Sequence, residues 1–147
     1  SKALFVPRYT LLCQLLKKMG EEMDRKFILT GMGYAIIGLA LGIFMAASKD
    51  HGHLVTHAHI MLIGFFVSFI YGLCHKLWLN NIVSKLSIAQ FYIHQIGTLG
   101  VIIGLFLYYG KFVTLETIDP VLALSSIAVL IGMILMKILF IKSTKNA

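Results

Sequence analysis

The sequence predicts an all-α membrane protein, with four transmembrane helices in an antiparallel bundle and an amphipathic, interfacial helix ahead of them. Three observations predict it. Hydrophobic residues fill 59% of the 147 positions and charged ones only 13%, too little polar surface for a body that faces water on every side. Four apolar runs are each long enough for a hydrocarbon core of about 30 Å, which takes roughly 20 helical residues. The breaks between them ("SKDHG", "LNNIVSK" and "GKFVTLETIDP") are short, so consecutive helices are expected to be antiparallel neighbours. Helices are the expected form because lipid satisfies no irregular backbone.

The N-terminal segment, residues 1–26, carries "RYTLLCQLLKKMGEEMDRK", in which apolar and charged positions alternate at roughly helical spacing. It is expected to lie in the membrane interface or to extend the first span. It is too charged for a cleavable signal peptide. The bundle is expected over 27–142, with spans at 27–47, 55–79, 87–109 and 120–141, and a short tail at 143–147. Of the thirteen basic residues, only Lys49 and Lys111 fall on one side of the membrane. Lys2, Arg8, Lys17, Lys18, Arg25, Lys26, Lys76, Lys85, Lys137, Lys142 and Lys145 fall on the other, which puts both termini in the cytoplasm. The net charge of +7 therefore belongs with a membrane surface, and no nucleic-acid partner is expected. Cys13 and Cys74 form no CxxC pattern and read as free thiols.

A helix turns by about 100° per residue, which sorts each span into faces. In the second span His57, Met61, Gly64, Ser68, Tyr71, Gly72 and His75 share a small, polar stripe. His59 points almost the opposite way, with Leu62, Ile63, Phe66 and Ile70. The third span gathers Gln90, His94, Gly97 and Thr98; the first offers Gly31, Ala35, Gly38 and Gly42, the fourth Ser125, Ala128 and Gly132. Small residues of this kind let membrane helices approach closely. The six acids (Glu21, Glu22, Asp24, Asp50, Glu116 and Asp119) all stand outside the spans or at their edges. That counts against a proton pump or cation transporter, which uses a carboxylate at membrane depth.

The six histidines are the chemistry-bearing residues. Neutral imidazole ligates iron, copper, zinc and nickel. His51 and His53 read as loop side chains beside solvent or headgroups, with Asp50–His51–Gly52–His53 a loose metal pattern. His57 and His59 open a span and need partners. His75, followed by Lys76, reads as an interfacial side chain or a ligand. His94 stands about five residues into the hydrocarbon, where an ionisable group is a functional candidate. The cysteines are poorly placed to share a metal with these rings. Haem, an apolar disc whose iron takes axial histidine, suits a helix bundle better, with Lys49, His51 and His53 near its propionates.

"VTHAHIMLIGFFVSFIYGLCHKLW", followed by "LSIAQFYIHQIGTLGVIIGLFLYYG", resembles the tenth and eleventh helices of the haem–copper (cytochrome c) oxidase subunit I family. Small four-helix proteins of that group are similar through His57-Ala58-His59, Leu62, Gly64-Phe65 and Gly72, then Phe91, His94, Gly97, Gly104-Leu105 and Gly110. The resemblance covers roughly residues 55–110. It implies that His57 matches the ligand of the high-spin haem and His59 that of the low-spin haem. The family's larger bundle, second haem-bearing helix and further copper histidines have no counterpart here, so oxygen reduction does not carry over.

The expectation is a haem b (iron) protein of an inner membrane, bacterial or mitochondrial in type, that relays electrons or binds a diatomic gas such as O2 or NO. Its cofactor ligands are sought among His57, His59, His94 and His75, and its metal ligands among His59, His57, His94 and His53. No catalytic residue is assigned. At 1.5 Å per residue His59 and His94 differ by roughly 18 Å in depth, so one chain does not clamp one haem between them. A second copy in a homodimer is expected to supply a ligand, or His75 and His94, about 6 Å apart in depth, form a pair of their own. A redox partner is expected for electron relay. Two alternatives stand beside this reading. One is copper or zinc capture or transport by His51, His53, His57 and His59. The other is a structural subunit of a respiratory complex, whose histidines only hydrogen-bond between helices.

Overall fold

The computed structural model describes residues 22–145. They form four helices, α1 (Met23–Ser48), α2 (Leu54–Leu77), α3 (Lys85–Tyr109) and α4 (Leu115–Lys145), each long and apolar enough to cross a membrane. Large apolar side chains such as Ile36 (69%), Ile43 (71%) and Leu124 (70%) stand exposed along them. Water would not tolerate such a surface and lipid tails match it. The chain is an integral membrane protein in contact with the bilayer.

α1, α3 and α4 run past their expected spans, because apolar counting marks the hydrocarbon and not the hydrogen-bonded ends. α2 instead starts one residue early and ends two short, at Leu77. α1 starts four residues early, and takes over the last part of the 1–26 segment; residues 1–21, where the amphipathic helix is expected, lie outside the described residues. α4 starts at Leu115 although Pro120 was the expected first residue. Thr114 supports the early start: its carbonyl accepts from the amide of Ile118 at 3.2 Å, and its hydroxyl meets that of Thr117 at 2.9 Å. A proline this close to a helix start removes one amide where the ladder is only beginning. At the other end α4 continues to Lys145, into the expected tail, and residues 146–147 lie outside the described residues.

The turn between α2 and α3 is built from side-chain chemistry. Asn80 and Asn81 adopt left-handed backbone (φ 52° and 53°), which asparagine tolerates better than most residues. Ser84 and Ser87 then close a reciprocal capping box on α3, their hydroxyls accepting from each other's amides at 3.1 and 2.8 Å. Asn81 also reaches α1, where its Oδ1 accepts from the amide of Asp24 at 3.2 Å. One turn thus ties together the ends of three helices.

α1 lies along α2 with early residues of one meeting late residues of the other: Gly72 beside Ile28, Gly31 beside Ser68, Gly38 beside Met61, Gly42 beside His57. α3 packs most extensively on α4, and α2 touches α3. Phe27, fully buried, is the hub of the inner part, with its ring centroid 5.4 Å from Tyr71, 5.0 Å from Phe91 and 5.5 Å from His75. Met23, Leu79, Met136 and Leu139 complete that core.

At Gly97 the α3–α4 contact is against backbone. A β-carbon there would stand 2.9 Å from the amide nitrogen of Val129 and 3.0 Å from the carbonyl oxygen of Ser125, backbone that cannot turn aside. Gly97→Ala is therefore expected to destabilise the bundle by about 1–3 kcal/mol through overpacking. Gly33→Ala is the control, since nothing lies within 4 Å of its β-carbon. It should be neutral, or stabilising by up to about 1 kcal/mol from helix propensity. Thermal unfolding of the two purified variants, followed by circular dichroism, compares them directly.

Candidate functional site

The histidines separate into two groups, one at the head of α2 and one in the interior of the bundle. The head of α2 carries one group. Residues Ile60–Phe66, directly after His59, form a π-helical stretch within the longer helix. Each π turn takes in an additional residue and so rotates everything before it relative to everything after. The buried face shows the shift. Gly64, Ser68, Tyr71, Gly72 and His75 are buried as the stripe predicts. Nearer the head, Thr56 and Ile60 are buried where His57 and Met61 were expected, and those two are half-buried.

This places the head histidines against backbone. The His57 ring leans on α1, and its Nδ1 donates to the carbonyl of Gly38 at 2.7 Å. A β-carbon on Gly42 would stand 3.1 Å from Cε1 of that ring, so any larger residue there would have to displace the ring slightly. His59, half-buried, donates from Nδ1 to the carbonyl of Val55, one turn back, at 2.8 Å. A carbonyl only accepts, so in the neutral ring the proton sits on Nδ1 and Nε2 keeps its lone pair. The two rings share this state while serving different faces of the helix.

His53 and His51 join neither ring. His53 stacks on Phe106 of α3 at 4.8 Å, with Nδ1 3.4 Å from the Thr56 hydroxyl, and His51 is exposed. Beside His53 a pocket of about 590 Å³ opens between the ends of α1 and α3, lined by Phe44, Asp50, Phe106, Lys111 and Phe112 among others. Of the polar groups expected to meet propionates, His53 lines this pocket, and Lys49 and His51 do not. Among the described residues, no three or more of His, Cys, Asp and Glu converge as a metal-binding group. The structure thus leaves His51, His53, His57 and His59 on separate neighbours.

The second group lies deep in the bundle. His94 is fully buried, and its Nε2 is 3.1 Å from the Ser68 hydroxyl on α2 and 3.5 Å from that of Thr98. Tyr71 presents its ring to that of His94 in T-shaped contact at 5.0 Å and donates its hydroxyl to Sδ of Met133 at 3.4 Å. Gln90, buried on the face toward α4, donates to the carbonyl of Gly132 at 3.3 Å. His75 is not the interfacial side chain its neighbour Lys76 suggests. It is fully buried and stacked on Phe27, because the following turn folds back and the Asn81 amide donates to the carbonyl of His75 at 2.9 Å. His75 and His94 both touch the Phe27 ring, at 5.5 and 6.3 Å, so the structure does bring this pair into one cluster.

Two features went unmarked in the sequence. Gln95 donates to the Thr30 hydroxyl at 3.2 Å and accepts from the Tyr34 hydroxyl at 3.0 Å, joining α3 to α1. An amide inside an apolar span was the sign of it. Asp24 is 8% exposed in the first turn of α1, an acid at the span's edge as expected but folded under the α2–α3 turn.

No family model, curated protein or solved structure matches the chain.

The Ser68 hydroxyl is the nearer of His94's two partners. Ser68→Ala should destabilise the bundle by about 1–3 kcal/mol, the cost of leaving a buried polar group without its partner. Thr98→Val, which removes the longer contact, should cost less. Unfolding midpoints of the two variants give the order.

Proposed function

We propose that this chain is a haem b protein of a bacterial-type inner membrane, folded as an antiparallel four-helix bundle with cytoplasmic termini. It relays electrons or binds a diatomic gas. The observation that carries the reading is the state of the head histidines: His57 and His59 each give Nδ1–H to a backbone carbonyl and keep Nε2 as a lone-pair nitrogen. That is how metal-binding histidines are held, the second nitrogen fixing tautomer and ring angle. The donor set therefore fits iron.

His59 is the first choice of axial ligand. Its ring is half-buried and engages only its own helix, whereas the His57 ring is pressed against Gly42. His94 stands third, because the Ser68 and Thr98 hydroxyls already occupy its Nε2. His75 comes last, closed in by the Phe27 ring. His53 and Lys111, on the pocket at the same end, offer polar company for propionates. Haem bound here would supply a one-electron couple or a site for O2 or NO. For electron relay a second copy of the chain would bring a further histidine and cover the exposed side of His59.

A structural subunit is the second reading, favoured by the two histidines that bond across helices, His57 to Gly38 and His94 to Ser68. One experiment separates the two. Protein expressed with ample haem should purify red, with a sharp Soret band and a haem b pyridine haemochrome. His59→Ala should lose most of that absorbance, and His57→Ala less. A colourless wild-type protein that co-purifies with a specific respiratory partner overturns the haem reading and supports the structural one.

A further inference from the structure

The inner cluster carries a second site, independent of haem. Four side-chain atoms in it have no hydrogen-bond partner among the described residues: Nδ1 and Nε2 of His75, Nδ1 of His94 and Oε1 of Gln90. All three side chains are fully buried. An unpaired buried polar atom costs about 1–3 kcal/mol. Four of them would cancel much of a domain's net stability, about 5–15 kcal/mol. They also belong together. His75 and His94 both lie against Phe27, and Gln90 bonds Gly132, where an added β-carbon would stand 3.4 Å from Cβ of His94.

The chemistry of the four atoms selects the ligand. Gln90 Oε1 only accepts, and it asks for a donor. A neutral imidazole offers one donor and one acceptor, so His75 asks for both kinds of partner at once. A metal cation would satisfy lone pairs and leave the His75 N–H unanswered. Water donates and accepts, and a buried water commonly makes two to four such bonds. We infer that His75, Gln90 and His94 hold ordered water inside the bundle, forming a hydrated polar site at the end of the molecule that carries Asp24 and Asn81. The path to the surface is short. His75 is two residues from the end of α2, its carbonyl is bonded by Asn81, and Asn81 reaches Asp24. Imidazoles linked by water exchange protons, which gives the bundle a proton-exchanging group at depth without a carboxylate there.

Solid-state NMR of the full chain in phosphatidylcholine bilayers, prepared without haem and with 15N-labelled histidine, tests this apart from the haem reading. Polarisation starting on water protons should reach the ring nitrogens of His75 and His94 about as fast as those of exposed His51, with His75→Phe and His94→Gln assigning the signals. Buried rings that receive none on that timescale overturn the inference. Thermal unfolding adds a second reading, because phenylalanine keeps the stack on Phe27. His75→Phe should lower the midpoint if water bridges this ring to its neighbours. A raised midpoint, the result of removing a ring that bonds nothing, overturns it.

Discussion

Hydrocarbon offers no hydrogen bonds, so every polar side chain within this bundle must be answered by another helix, by its own backbone or by something carried inside. That constraint organises the interior. Thr30, Tyr34 and Gln95 answer one another between α1 and α3, Ser68 and Thr98 answer His94, and the Gly132 carbonyl answers Gln90. The glycines serve the same end by bringing backbones close enough for short side chains to reach across. At Gly42 the space vacated by a side chain is filled by the His57 ring, which then finds the carbonyl of Gly38. The apolar surface left outside needs no such care, because lipid accepts it as it is.

The number of helices, their rough extents and the polar stripe of α3 were legible in the sequence because each follows from a count. Hydropathy summed over a span is insensitive to detail, and Gln90, His94, Gly97 and Thr98 share a face on any regular helix. The failures come from local chemistry that a count does not see. α4 begins before Pro120 because Thr114 can start the ladder, and His75 is buried because a turn with two left-handed asparagines folds back over it. The π stretch after His59 is the deepest of these. Nothing in "IMLIGFF" departs from ordinary helix composition, yet it moves the buried face from His57 and Met61 to Thr56 and Ile60. The near-opposite directions of His57 and His59 were readable; their angle to the rest of the bundle was not.

That shift is also what gives the two groups of histidines different characters. At the head of α2 it turns His57 and His59 part-way out of the core, where each meets a carbonyl and keeps one nitrogen free. Below the π stretch the original register holds, and His75 comes to lie against Phe27 with both nitrogens inside. The same residue type is thus half-buried and oriented at one end, and enclosed with unanswered polarity at the other. A ligand proposed for the first group would approach the side of the rings that this chain leaves uncovered. A ligand for the second has to be small enough to fit among packed aromatic rings and versatile enough to donate and accept.

These demands make the two proposals complementary. A redox or gas-binding group at the head would change charge next to a low-dielectric core, where an uncompensated charge is costly. Asp24, the buried acid among the described residues, sits at the far end of α1 from His57 and His59, and Asp50, at the head, is exposed. What the interior does provide is a set of hydroxyl, amide and imidazole groups running inward from Ser68 and Thr98 through His94 and Gln90 to His75, beneath Asn81 and Asp24. Neutral dipoles of this kind, with water among them, can reorient when a nearby charge changes and require no buried ion at rest. A bundle with oriented histidines at one end and its buried acid at the other has a physical reason to stay polar in between.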